Sequence, residues 1–301
     1  MAITKLSQII DAVKSKPKKT LVAAYANDAH TIEAVSNAID LGIIDAILVG
    51  DEATIKNVCA QEKIDVKKFK IVQEADEQKA ANLAVKMVKD GEAGILMKGL
   101  VSTDKYMRAI LNKEFGILPP KAVLSHLTIM EVPAYHKLLL LGDVAVLPAP
   151  DLSQKIAITN YLINAAHALG IEKPKVAIIA ATEQMSPGMP ACVDAAIISK
   201  MADRNQIKGA LVDGPLAFDV AIDMESAEIK KLKSPVAGDA DCMVFPNIES
   251  GNVGYKVLTK FCKGESAMLV VGAKCPAVLS SRGDTSQTKT YSIAFAALMA
   301  K

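Results

Sequence analysis

The chain has 301 residues and a formal net charge of +2; 51% of its residues are apolar, but only 4% are aromatic and Trp is absent. Charges of both signs are interspersed, so there is no basic footprint for nucleic acid, and no apolar run reaches the roughly 18 residues that a bilayer requires. Small molecules are the expected partners. The length predicts two domains, and a core of Ala, Val, Ile, Leu and Met suits helices packed on a sheet.

Residues Met1 to Lys19 hold a short amphipathic pattern broken by Lys14, Lys16, Lys18 and Lys19, which is not the apolar core of a signal segment. From there, short Val/Ile/Leu-rich runs alternate with helical periods. Strands are predicted at Leu21–Tyr25, Ala46–Val49, Phe69–Val72, Gly94–Met97, Leu138–Leu141, Lys175–Ala180, Gly209–Val212, Asp241–Phe245 and Ala267–Val271. Helices are predicted at His30–Leu41, Ala53–Gln61, Gln78–Lys89, Thr103–Leu111, Leu152–Leu169, Cys192–Met201, Val253–Phe261 and Ser286–Ala300. Runs that are apolar on both faces and separated by helices imply a parallel sheet covered on both sides, an α/β architecture. Asp151 with Gln154 three residues on reads as a capping box. The rhythm breaks at Gly116–Pro133, where Pro119-Pro120 interrupts a helical pattern and Val123–Ile129 reads as a strand or edge hairpin. The domain crossover is placed there, giving a discontinuous domain I (residues 1–121 and 271–301) and a domain II (122–270).

The five cysteines, Cys59, Cys192, Cys242, Cys262 and Cys275, are odd in number and scattered. That spacing predicts reduced thiols in a cytoplasmic protein and no metal ligand set.

Open parallel sheets bind ligands at the carboxyl ends of their strands. Four such ends are polar. Gly94–Met97 is followed by Lys98, Gly99, Ser102 and Thr103, with Arg108 on the next helix. Gly209–Val212 is followed by Asp213-Gly214-Pro215, which reads equally as a tight turn. Asp241–Phe245 is followed by a turn-rich stretch from Asn247 to Asn252, read equally as helix capping, and a helix bearing Tyr255 and Lys256. Leu279 is followed by Ser281, Arg282 and Asp284. Ser125 and His126 lie in the hairpin candidate, where a hydrogen-bonded core histidine competes with a catalytic one. Asp143 ends a strand, orienting a cationic partner or capping a turn. Only three arginines, Arg108, Arg204 and Arg282, stand among 35 basic residues. A planar five-donor fork in so Arg-poor a chain points to geometry, with phosphate or carboxylate as its target.

The order of these segments carries more than any of them alone. Met97-Lys98-Gly99 with Ser102-Thr103, Gly142-Asp143-Val144-Ala145, Asp213-Gly214-Pro215-Leu216-Ala217-Phe218-Asp219, Ser234-Pro235-Val236-Ala237-Gly238, Phe245-Pro246 with Gly251-Asn252 and Tyr255-Lys256, and Ser281-Arg282-Gly283 together resemble the phosphate acetyltransferase/phosphate butyryltransferase family. The resemblance covers essentially the whole chain, and the ending Ser280-Ser281-Arg282-Gly283-Asp284-Thr285 is closer to the butyryltransferase branch.

The resemblance implies reversible transfer of a short-chain acyl group between coenzyme A and inorganic phosphate. It also implies two three-layer α/β domains with an interdomain cleft, isocitrate/isopropylmalate dehydrogenase-like, and a homodimer or higher homo-oligomer. No permanently bound cofactor or metal is expected; coenzyme A, acyl-CoA, phosphate and acyl phosphate are substrates and products. In the family the Ser-Arg pair lies in the cleft, so Ser281 and Arg282 inherit a catalytic role. Arg108 is the counterpart of an early arginine that contacts substrate. Lys98, Ser102, Thr103, Ser125, His126, Asp143, Asp213, Asn252 and Lys256 complete the expected substrate-binding set. The chain departs from the acetyltransferase branch seven residues after the motif serine, where a proposed thiol base, an aspartate, is replaced by Thr288. Asp284 is the nearest carboxylate. Acetyl-CoA as main substrate, a metal-dependent hydroxy-acid dehydrogenase, and a non-catalytic coenzyme A or acyl phosphate sensor are the alternatives.

Overall fold

The computed structural model describes residues 2–280 and 284–300. In chain order the elements are α1 (Leu6–Lys14), β1 (Lys19–Ala24), α2 (Ala29–Asp40), β2 (Ile44–Gly50), α3 (Glu52–Gln61), β3 (Lys70–Gln73), α4 (Glu77–Lys89), β4 (Ile95–Lys98), α5 (Thr103–Ile110), β5 (Ser125–Glu131), β6 (Leu139–Gly142), α6 (Leu152–Ala168), β7 (Lys175–Ile179), α7 (Pro190–Asp203), β8 (Leu211–Leu216), α8 (Phe218–Ile222), α9 (Met224–Ile229), β9 (Cys242–Val244), α10 (Ile248–Lys260), β10 (Glu265–Val271), β11 (Ala277–Val278) and α11 (Ser286–Met299). The chain divides into two compact units, one of Ser7–Leu124 with Ala267–Lys301, the other of Met1–Leu6 with Ser125–Ser266. The first residues, expected with domain I, pack with the latter unit: Ile3 N donates to Leu169 O at 2.8 Å and Leu6 N to Glu131 Oε2 at 2.7 Å.

In the first unit the strand order is β3-β2-β1-β4-β11-β10, parallel except that β10 runs antiparallel to β11. The wholly parallel sheet expected from the sequence is corrected here, because the short connection from Val271 to Ala277 leaves no room for a crossover. The helices start on side-chain caps: Asp28, Asp51, Asp76 and Ser102 each accept the backbone N–H three residues on. The chain builds outward from β1 through β2 to β3, then returns to the other side of β1 for β4. The sheet therefore reverses direction between β1 and β4, and a crevice opens at the carboxyl ends of those strands.

The second unit orders its strands β5-β6-β9-β7-β8, with β5 antiparallel to β6 and the rest parallel. Its core gathers Leu139 and Leu141 of β6, Ala177 and Ile179 of β7, Leu216 of β8 and Met243 of β9. The capping box at Asp151 and Gln154 is formed in both directions. Asp213-Gly214-Pro215 is not a turn but part of β8, and α10 begins at Ile248, so Gly251 and Asn252 lie inside a helix that Asn247 caps.

The amino ends of β6, β7 and β9 are tied by charge. Asp239 takes Lys175 Nζ at 2.7 Å, Lys137 Nζ at 2.9 Å and His136 Nε2 at 2.9 Å, and Lys137 also pairs with Asp241 at 2.7 Å. Burial works against the Asp239 charge, but the hydrogen bonds from Lys175 and Lys137 outweigh it and hold its pKa down at about 2.

Candidate active site

In the first unit, the carboxyl ends of β1, β4 and β11 meet a cavity of about 230 Å³ lined by Asp28, His30, Lys98, Gly99, Leu100, Ser280 and Lys289. Its floor is a close backbone approach. Gly99 N donates to Ala24 O at 3.0 Å and Leu100 N to Tyr25 O at 2.9 Å, while Tyr25 turns the chain with φ of 56°. A Cβ at residue 99 would sit 2.5 Å from Tyr25 O, so only glycine lets the two strand ends lie this close.

Two lysines are buried around this cavity. Lys98, the last residue of β4, is 6% exposed and its ammonium donates to Gly99 O at 3.1 Å. Lys289, the fourth residue of α11, is 5% exposed, and among the described residues its ammonium has no hydrogen bond or ion pair. Asp28 spends one carboxylate oxygen capping α2, accepting from Thr31 N at 2.9 Å; the other, Oδ2, is buried with no hydrogen-bond partner among the described residues. The sequence reading singled out Lys98 and missed the rest. The signal for Lys289 was present, since it is the one charged residue of α11, a helix buried along Lys289 to Leu298.

The other predicted residues of this unit are placed as follows. Ser102 caps α5 through its hydroxyl, and its own N–H donates to Glu77 Oε1 at 2.6 Å. Glu77 also binds Lys105, and that hydrogen bond raises the lysine's pKa. Thr103 is exposed at the first position of α5. The Arg108 fork, expected on substrate, lies on the exposed face of α5, where Nε donates to Asp104 Oδ1 at 3.1 Å one turn back on its own helix. Thr285 caps α11, accepting from Thr288 N at 3.2 Å, and Asp284 stands one residue before that cap. Ser281 and Arg282 lie outside the described residues.

Ser125, His126, Asp143 and Asn252 come together in the second unit. The Asp143 carboxylate, 2% exposed, accepts Ser125 Oγ at 3.0 Å and His126 N at 2.9 Å, and also Ala145 N at 2.8 Å, Val146 N at 2.9 Å and Leu147 N at 3.3 Å. Asn252 Nδ2 donates to Val144 O at 3.0 Å, and Gly251 admits the loop because a Cβ there would meet Asp143 O at 2.5 Å. Asp143 thus frames the loop after β6; its oxygens are taken by the chain's own donors, and no cationic side chain pairs with it among the described residues. His126 is 2% exposed with Nδ1 3.3 Å from Thr128 Oγ1, a buried hydrogen-bonded histidine. Asp213 accepts Ser199 Oγ at 3.2 Å and Gly214 N at 2.8 Å, holding β8 to α7. Lys256 is exposed on α10. No group of three or more His, Cys, Asp or Glu among the described residues could hold a metal ion, and no described helix is long and apolar enough to cross a membrane.

A switch-point crevice in an α/β sheet, walled by the largely buried Lys98 and Lys289, suits an anionic small molecule. The chain belongs to the phosphate acetyl/butaryl transferase family, whose pattern matches residues 5–84 and 75–297. It is 47% identical to the phosphate butyryltransferase of Clostridium acetobutylicum over 298 residues, covering 99% of both chains. It is 38% identical to the phosphate acetyltransferase of Thermotoga maritima, covering 98% of this chain and 99% of the other. Among solved structures, a branched-chain phosphotransacylase from Enterococcus faecalis superposes with a TM-score of 0.81 at 32% identity, covering 93% of this chain and 98% of that one.

Proposed function

We propose that the chain is an acyltransferase moving a short-chain acyl group, butyryl or a neighbour in length, between coenzyme A and inorganic phosphate. The 47% identity to a phosphate butyryltransferase over 99% of both chains carries this reading. The 38% identity to a phosphate acetyltransferase supports a second one, in which acetyl-CoA is the main substrate. In either, a phosphate oxygen attacks the thioester carbonyl carbon, a tetrahedral oxyanion forms, and the C–S bond breaks to release the coenzyme A thiolate as the new C–O bond is kept. Holding both substrates in one site contributes on the order of 7–11 kcal/mol through proximity, and a charged donor on the oxyanion adds roughly 3–4 kcal/mol.

Within this proposal Arg282 binds the attacking phosphate or the thioester oxygen, and Ser281 hydrogen-bonds the same charge. In the reverse direction Asp284, His126 or a water takes the thiol proton. Lys98 and Arg108 bind the anionic substrates. A dehydrogenase-like pair of domains with a cleft, a homodimer or higher homo-oligomer, and a cytoplasmic setting belong to the same reading.

The test is a series of phosphate-dependent rates on acetyl-, propionyl-, butyryl- and branched acyl-CoA. A maximum in kcat/KM at four carbons or a branched chain is expected; a maximum at acetyl-CoA selects the second reading.

A further inference from the structure

Of the three residues that α5 buries, Tyr106, Ala109 and Ile110, only Tyr106 carries a polar group, and it is 0% exposed. Packing alone asks for no hydroxyl there, since a phenylalanine would bury the same ring without the cost of taking an O–H out of water. The hydroxyl donates to Val278 O at 3.3 Å, across 172 positions of sequence. Burial pushes the Tyr106 phenol well above its ordinary pKa, so it stays a donor through neutral pH.

Val278 is where the ladder of β11 stops. The strand has two residues: Ala277 pairs with Leu96 and Val270, and Val278 pairs with Met97. Beyond it, no backbone–backbone hydrogen bond holds Leu279 or Ser280 among the described residues. The exit of β4 is fixed by backbone alone, because Gly99 N and Leu100 N bond to Ala24 O and Tyr25 O. The exit of β11 has the phenol instead. Ser280, 6% exposed, lines the same cavity as Lys98, so the two exits serve one crevice.

We propose that Tyr106 is a positioning residue for acyl transfer, its hydroxyl holding the Val278 carbonyl and so setting where the chain departs toward Ser280 and the Ser281-Arg282 pair. This rests on the phosphate acyltransferase reading, which gives the chemistry to Ser281 and Arg282, and adds a residue that touches no substrate. Without the phenol the ring still packs, but the last peptide of β11 loses the side-chain bond that fixes its orientation. A displacement of about 1 Å at reacting groups costs up to roughly a hundredfold in rate. The loss is one of orientation, so it falls on kcat and not on KM.

The experiment compares the full chain with Tyr106→Phe and Ile110→Val in phosphate-dependent thiol release from butyryl-CoA, at a temperature below all three melts. Tyr106→Phe is expected to lower kcat by about tenfold or more, with the KM for butyryl-CoA and for phosphate within about twofold of the parent. Its melting temperature should fall by no more than about 4 °C. Ile110→Val trims the same buried face of α5 at a similar cost in melting temperature, yet leaves the phenol on Val278 O, so its kcat should stay within about twofold. Tyr106→Met, which also fills the site without a hydroxyl, repeats the test should the phenylalanine variant not be recovered folded. A kcat in the Tyr106 variant within about twofold of the parent overturns the proposal, as does an equal fall in Ile110→Val, which would make the effect one of packing. A raised KM with kcat unchanged overturns it too, by placing the phenol in substrate binding. If neither Tyr106 variant folds, the hydroxyl serves the fold and the positioning role falls. Absence of phosphate-dependent thiol release by the parent sinks acyl transfer itself; an active parent matched by its Tyr106 variant sinks only the positioning role.

Discussion

Asp28, the N-cap of α2, and Lys289 of α11 line one cavity where these two helices pack, and no ion pair joins the two side chains among the described residues. Lys289 is 5% exposed, and holding a charged side chain against an apolar helix is a cost carried by the folded state. Lys289→Met should therefore stabilise the protein by about 1–2 kcal/mol, a rise of roughly 2–6 °C in melting temperature. A fall in melting temperature would mean that the ammonium contributes to the fold.

Arg282→Lys keeps the charge and loses the fork. On the proposed mechanism, turnover should drop by roughly a hundredfold while the melting curve is preserved, as happens when one donor to a transition state is removed. Steady-state kinetics within about threefold of the parent would remove Arg282 from the chemistry.

Arg108 is mostly exposed and paired with Asp104 on its own helix, an arrangement worth well under about 1 kcal/mol. Arg108→Ala should leave the melting temperature within about 1 °C. A substrate role then shows cleanly as a raised KM for coenzyme A or phosphate with kcat little changed. An unchanged KM for both confines Arg108 to the surface.

The loop after β6 hangs on one carboxylate. Asp143→Ala would strand the buried donors of Ser125 and His126 and release the loop N–H groups of Ala145–Leu147, a loss of about 3 kcal/mol readable in urea unfolding. Stability within about 0.5 kcal/mol of the parent would show that the network is not a frame.

Asp239 predicts an acid-dependent stability. Its folded pKa of about 2 lies below the ordinary 3.8, so its contribution is complete above the ordinary value and lost as pH falls from there toward 2. Asp239→Asn should be less stable than the parent at pH 7, with the difference shrinking below pH 4. A difference that stays constant from pH 7 to pH 3 would exclude the charge as its source.

The α/β rhythm was legible because apolar runs and Asp or Ser caps recur at strand-to-helix junctions. The cap of α6 could be read from Asp151 and Gln154 alone. The sense of β10 and β5 was not, since the pleat is the same whichever way a neighbour runs. Asp213 looked like a turn because Gly-Pro usually punctuates, yet here it lies within β8. Lys98 was found by its place after a strand. Lys289 was overlooked although it is a solitary charge in an apolar helix, and the Asp28 orphan could not have been found, because it appears only when α2, β4 and α11 close around it. Asp143 stands out in the sequence as the end of a strand, but the donors that occupy it come from residues up to 18 positions away and from its own loop.

The account stands or falls on one reaction. Butyryl-CoA mixed with the purified protein should release free thiol only when inorganic phosphate is present, with one acyl phosphate formed for each thiol. No thiol, or thiol released at the same rate without phosphate, would contradict it.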